Sequence, residues 1–145
     1  MTRQKKEYYM GLALAVSRQA LPVCRPNPPV GCVLVRDGLV VAEGFTQEPG
    51  KDHAEAMALR HFTGSLALVD VFVTLEPCSF VGRTPACALA LVERGASRVY
   101  VGLVDPHPKN RGTGIRLLQD AGVEVETGVL GEEVSQFLAP YLIRH

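Results

Sequence analysis

One histidine, one glutamate and two cysteines carry the strongest chemical signal in the chain: His53 and Glu55 in KDHAEAMAL, and Cys78 and Cys87 in TLEPCSFVGRTPAC. An imidazole and two thiolates make three ligands for a tetrahedral zinc. Three protein ligands leave the fourth position to water, which is the arrangement of a catalytic site rather than a purely structural one. Two thiolates already neutralise the dication, so a water held there is acidified less than beside three imidazoles, and a nearby base becomes more necessary. Glu55 can be that base. A regular helix turns about 200° between residues i and i+2, so His53 and Glu55 converge only if His53 stands at the helix entrance, outside helical geometry. The same residues also fit a structural reading, with Asp52 as an N-cap and Glu55 as its N3 partner in a capping box.

The elements around these residues decide whether they can meet. LALVDVFVTLE predicts a strand centred on Val71 to Leu75, which leaves Cys78 just beyond its carboxyl end, where α/β sheets place their ligands. Thr84 and Pro85 read as the N-cap and N1 of the next helix, CALALVERG. Cys87 then falls in a first turn whose free N–H groups and dipole favour a thiolate. HAEAMALRHF is helical. Upstream, helical periodicity runs to about Gln19 and is broken by the prolines of CRPNPPV. VGCVLV and LVVAEGF follow as two strands joined at Asp37 and Gly38, a strong hairpin signal. Downstream come the strand SRVYVGLV, the helix GIRLLQDAG, one or two short strands in VEVETGVL and a helical tail. Strands alternating with helices predict an α/β fold with helices covering a mixed, mostly parallel sheet that has one antiparallel edge.

The totals agree with one domain spanning residues 1–145, long enough to bury a core without disulfides. Fifteen basic and fifteen acidic side chains cancel, which argues against a nucleic-acid partner or an anionic membrane surface. The opening MTRQKKEYYMGLALAVSRQA has a basic segment before an apolar one, as an export signal has. It reads as an amphipathic helix with Tyr8, Leu12, Val16 and Ala20 on its packed face. A cytoplasmic, reducing location follows, and there a metal or catalytic role for cysteines outweighs a disulfide. Cys24 and Cys32 read as a loop thiol and a buried strand thiol, His61 and His107 as surface or loop residues. Lys109, Asn110 and Arg111 read as a charged loop before a helix, able to meet an anion or simply solvated.

HAE, followed by PC and a later Cys, resembles the zinc-dependent nucleobase and nucleoside deaminases. The eight residues between Cys78 and Cys87, together with PNPPVGCV, GFTQEPGKDHAE and DPHP, resemble more closely the deaminase domain of the riboflavin-biosynthesis deaminase/reductases. The resemblance runs from about Tyr8 to Phe137. It implies a three-layer α/β/α cytidine-deaminase-like sandwich with a five-stranded sheet, without the reductase domain that normally follows. It further implies a homo-oligomer, with a dimer favoured, one zinc per chain and a phosphoribosylated diaminopyrimidinone as the amino-heterocycle substrate; a separate reductase would then act beside it. Residue by residue, it makes His53, Cys78 and Cys87 the zinc ligands and Glu55 the proton shuttle. Asn27 would bond the substrate, and Arg83 and Thr84 would lie near its ribose or phosphate. Thr46 and Phe80 complete the candidate substrate contacts at positions where those enzymes often carry histidine, and KNRGTG replaces an uncharged stretch. These departures leave open another aminopyrimidine or purine as substrate, or a binding protein that keeps the zinc without turnover.

Overall fold

A computed structural model describes residues 1–80 and 86–142. Its first hairpin follows from two residues: Asp37 and Gly38 both take positive φ, 51° and 76°, the pair of left-handed conformations that a tight, correctly twisted β-turn demands. The turn joins β1 (Gly31–Arg36) to β2 (Leu39–Phe45). The other strands are β3 (Asp70–Leu75), β4 (Arg98–Leu103) and β5 (Glu124–Thr127). They form one mixed sheet in the order β2-β1-β3-β4-β5. β1 pairs antiparallel with both β2 and β3, while β3, β4 and β5 pair in parallel. Four strands therefore share a direction and β1 alone runs against them. The expected antiparallel edge is the β1–β2 hairpin, whose second strand folds outward to the edge and leaves β1, the opposed strand, inside the sheet.

Among the described residues, five α-helices cover the sheet: α1 (Arg3–Ser17), α2 (Ala54–Arg60), α3 (Cys87–Glu93), α4 (Thr113–Asp120) and α5 (Gly131–Leu138). α1 and α5 pack on one face, and α2, α3 and α4 make the layer on the other. Alternation along the strands sorts the core between them. Phe72 stacks on Tyr100 at 4.5 Å and meets Tyr9 of α1 on one side, while Cys32, Val71 and Val73 fall on the face of the site. The buried side of α1 is Tyr9, Met10, Ala13, Val16 and Ser17, and Tyr8 is 62% exposed. Of the expected stripe, Val16 and Ala20 are buried and Leu12 packs against the core, while Tyr8 turns outward, since a strict step of four drifts away from a helix of 3.6 residues per turn. α3 begins at Cys87 with Ala86 as N-cap, which corrects the expected cap at Thr84; Thr84 and Pro85 themselves lie outside the described residues. Among the described residues no helix is long and apolar enough to cross a membrane.

Candidate metal centre

His53 occupies the N-cap of α2 with φ −74° and ψ 169°. That extended conformation swings its ring out of helical register and lets it share a site with Glu55. The capping box does not form. Asp52 pairs with Arg60 at 2.6 Å instead, and Glu55, only 4% exposed, stands at N2. Gly44 of β2 brings this helix end close to the sheet: a Cβ there would lie 2.2 Å from the Ala54 carbonyl oxygen and 2.6 Å from the Ala58 nitrogen. Only glycine fits.

The two sulfurs reach the same place from different elements. Cys78 follows the end of β3, and Cys87 is the first residue of α3, so the free amides of that helix point at Cys78. The Cys87 N–H donates to Cys78 Sγ at 3.1 Å and the Ala88 N–H to the Cys78 carbonyl at 3.0 Å. His53 Nδ1 stands 3.3 Å from Cys87 Sγ and 3.7 Å from Cys78 Sγ, and the three donor atoms lie within 4.8 Å of one another. Zinc with ordinary bond lengths in a tetrahedral site requires N···S edges of roughly 3.6 Å and an S···S edge of roughly 3.8 Å. The donor set fits that ion in chemistry and in spacing.

The electrostatics of the cluster point the same way. Hydrogen bonding with Cys87, reinforced by His53, holds the Cys78 thiol down at about 4. Its bond to Cys78, and then burial, drive Cys87 up. His53 is raised, first by its bond to Cys78. Cys87 and His53 thus hold their protons beside a Cys78 that gives its own up readily, and a divalent cation can take the place of such protons. Burial, with the charge on Cys78 second, pushes the Glu55 carboxyl up to about 7.

These groups sit in a cavity of about 280 Å³ whose wall includes Asn27, Thr46, His53, Glu55, Cys78 and Phe80. Asn27, Thr46 and Phe80, the expected substrate contacts within the described residues, thus line one cavity; Arg83 and Thr84 lie outside the described residues. Thr46 is already engaged, since its Oγ1 accepts from the Val30 N–H at 3.0 Å. Phe80 is 45% exposed. Cys24 and Cys32 are buried free thiols and neither belongs to the metal cluster. Three residues in the site went unrecognised in the sequence. Asp105 and His107 of the turn after β4, the latter expected on the surface or in a loop, also line the cavity. Glu76, 3% exposed, accepts the N–H groups of Asp105 and Gly112 on Oε1 and of Ile115 on Oε2, each at 3.0 Å. It ties the turn and the start of α4 to the segment that carries Cys78. An acid at the end of a buried strand, facing a helix N-terminus, was the available signal.

The model of the cytidine and deoxycytidylate deaminase zinc-binding region matches residues 3–103. The riboflavin biosynthesis protein RibD of Escherichia coli is 43% identical over 95% of this chain and 38% of its own length. Among solved structures, RibD of Acinetobacter baumannii superposes with a TM-score of 0.93 at 38% identity, covering 97% of this chain and 40% of that one. The Thermotoga maritima diaminohydroxyphosphoribosylaminopyrimidine deaminase/5-amino-6-(5-phosphoribosylamino)uracil reductase gives 0.89 at 38% identity, over 96% and 40%. The chain spans about two-fifths of the length of these relatives. With the match of the family model across more than half its length, and a His–Cys–Cys donor set fit for zinc, the chain belongs to the cytidine and deoxycytidylate deaminase zinc-binding family.

Proposed function

We propose that this chain hydrolytically deaminates the phosphoribosylated diaminopyrimidinone of riboflavin biosynthesis, with His53, Cys78 and Cys87 holding one zinc and Glu55 moving the protons. The observation that carries the reading is a buried carboxylate, Glu55, on the wall of one cavity beside His53 and Cys78, two members of a three-donor cluster that Cys87 completes. The RibD relatives, similar over almost all of this chain, support the pathway. When bound, zinc supplies Lewis-acid activation of the attacking water. Glu55 takes a proton from that water as its oxygen bonds to the amidine carbon and passes it to the ring nitrogen, then takes the second proton from the hydroxyl now on that carbon and gives it to the departing amine. The carbon–nitrogen bond breaks, ammonia leaves and a carbonyl stands in place of the amine. A carboxyl lifted by burial suits a group that must both accept and donate near neutral pH.

Asn27 supports recognition of the ring, because it lines the cavity and can both donate and accept through its carboxamide. Arg83 would meet the phosphate, as a guanidinium beside a helix start does well. In this reading the protein is a homodimer and its product passes to a reductase, the activity paired with the deaminase in the Thermotoga relative's name.

Phe80 favours a second reading: its half-exposed ring at the cavity suits stacking on a bare aminopyrimidine or purine. An ammonia-release assay separates the two, using the phosphorylated diaminopyrimidinone, its dephosphorylated form, cytosine, guanine and their nucleosides. The first reading requires the phosphorylated compound to be the best substrate and Arg83→Ala mainly to raise KM. Turnover of a bare base alone would transfer the chemistry to the second reading, and no turnover of any compound would favour a zinc-holding binding protein.

A further inference from the structure

We propose that Asn110 is a positioning residue for the metal centre, clasping the backbone on both sides of Cys78 and so setting where that sulfur stands relative to His53 and Cys87. The inference rests on the zinc reading above. Asn110 belongs to the turn between β4 and α4, yet its side chain is 1% exposed and reaches the segment after β3. Its Nδ2 donates to the Pro77 carbonyl at 3.1 Å, and its Oδ1 accepts the Ser79 N–H at 3.0 Å. Cys78 is the residue between them.

Nothing regular holds that segment. Residues 76–79 belong to no helix or strand, and Pro77 has no N–H to donate. The start of α3 grips Cys78 from one side, through its sulfur and its carbonyl. Asn110 grips it from the other. The Pro77 oxygen has little room for another partner, because a Cβ on Gly114 would stand 1.9 Å from it. A carboxamide suits the place because one end must donate while the other accepts. Aspartate keeps the acceptor but loses the donor, and valine loses both. The clasp is itself anchored: Nδ2 also reaches Asp105 Oδ2 at 3.3 Å, and the Asn110 N–H donates to the His107 carbonyl at 3.0 Å. Asp105 and His107 line the cavity, so a single side chain links the cavity wall to a metal ligand.

The test uses the zinc-loaded protein with a chromophoric chelator, and the cobalt(II)-substituted protein for its thiolate-to-metal absorption. Asn110→Asp and Asn110→Val are expected to release zinc about 10- to 100-fold faster, the usual cost of losing a group that orients a ligand, and to shift the cobalt band. Val134→Ala opens the core on the opposite side of the sheet, where Val134 is fully buried in α5, and is expected to lower stability while leaving both readouts at wild-type values. Wild-type release and an unmoved band in Asn110→Asp would overturn the proposal. Should neither variant fold, amide exchange in the wild-type holoprotein decides: the clasp requires a protected Ser79 N–H, and exchange at the rate of an open loop rejects it. A wild-type protein with neither zinc nor a cobalt–thiolate band would overturn the zinc reading as well, an outcome distinct from clasp failure, in which the wild type binds metal normally.

Discussion

Glu55 and the three metal donors differ in what they are expected to lose on substitution. Glu55→Gln keeps size and hydrogen-bonding capacity but cannot carry a proton. It is expected to fold and retain zinc while losing about 10²- to 10⁴-fold in rate, the reach of general acid–base catalysis. Parallel zinc and ammonia measurements check this, and an active Gln variant would remove the shuttle. In the proposed site His53, Cys78 and Cys87 hold the metal, so Cys87→Ser is expected to empty it by elemental analysis. Cys24→Ser and Cys32→Ser are expected to keep a full complement of about one zinc per chain, because neither thiol joins the cluster. Full zinc in Cys87→Ser would refute the ligand set. The donor cluster was legible in HAE and the two cysteines because ligand chemistry is a property of residue types. The failure of the capping box was not legible: Asp52 found Arg60 two turns along the helix, and His53 took the cap.

At the scale of elements, two helix N-termini and one strand end must be held together, and one cation at the far end of the helices does much of the holding. Arg94, the C-cap of α3, donates through Nη1 and Nη2 to the Leu59 carbonyl at 3.2 and 2.9 Å, and through Nη2 to the Phe62 carbonyl. Both carbonyls lie at the end of α2. Arg94→Ala is expected to lower unfolding stability by about 1.5 to 3 kcal/mol, the range for hydrogen bonds to a charged group, as read by denaturant titration. A loss within error would show the contact to be replaceable by water. Gly44→Ala should do more than destabilise. Its methyl would force the start of α2 away from β2, costing about 1 to 3 kcal/mol for overpacking and moving His53. Zinc affinity is therefore expected to fall with stability, and unchanged affinity would mean that the helix end moves independently of the cap residue.

For the molecule as a whole, the metal links α2, the segment after β3 and α3, so its binding is folding energy. With free zinc a hundredfold above its dissociation constant, the native state gains about 2.7 kcal/mol, or roughly 5 to 10 °C in Tm. Stripping the metal with a chelator is expected to lower Tm by that amount, and calorimetry with and without added zinc measures it; an unmoved Tm would place the site outside the cooperative unit. By itself the sequence determined the alternation of elements, the hairpin at Asp37–Gly38, the His–Cys–Cys donor set and the acid beside it, because these depend on local periodicity, turn conformation and the chemistry of single residues. Tertiary structure decided the rest. The placement of β1 inside the sheet, the burial of Glu76 and the reach of Asn110 around Cys78 all join residues distant in sequence. No local pattern encodes such pairings, since they exist only once the sheet has brought the ends of β3 and β4 side by side.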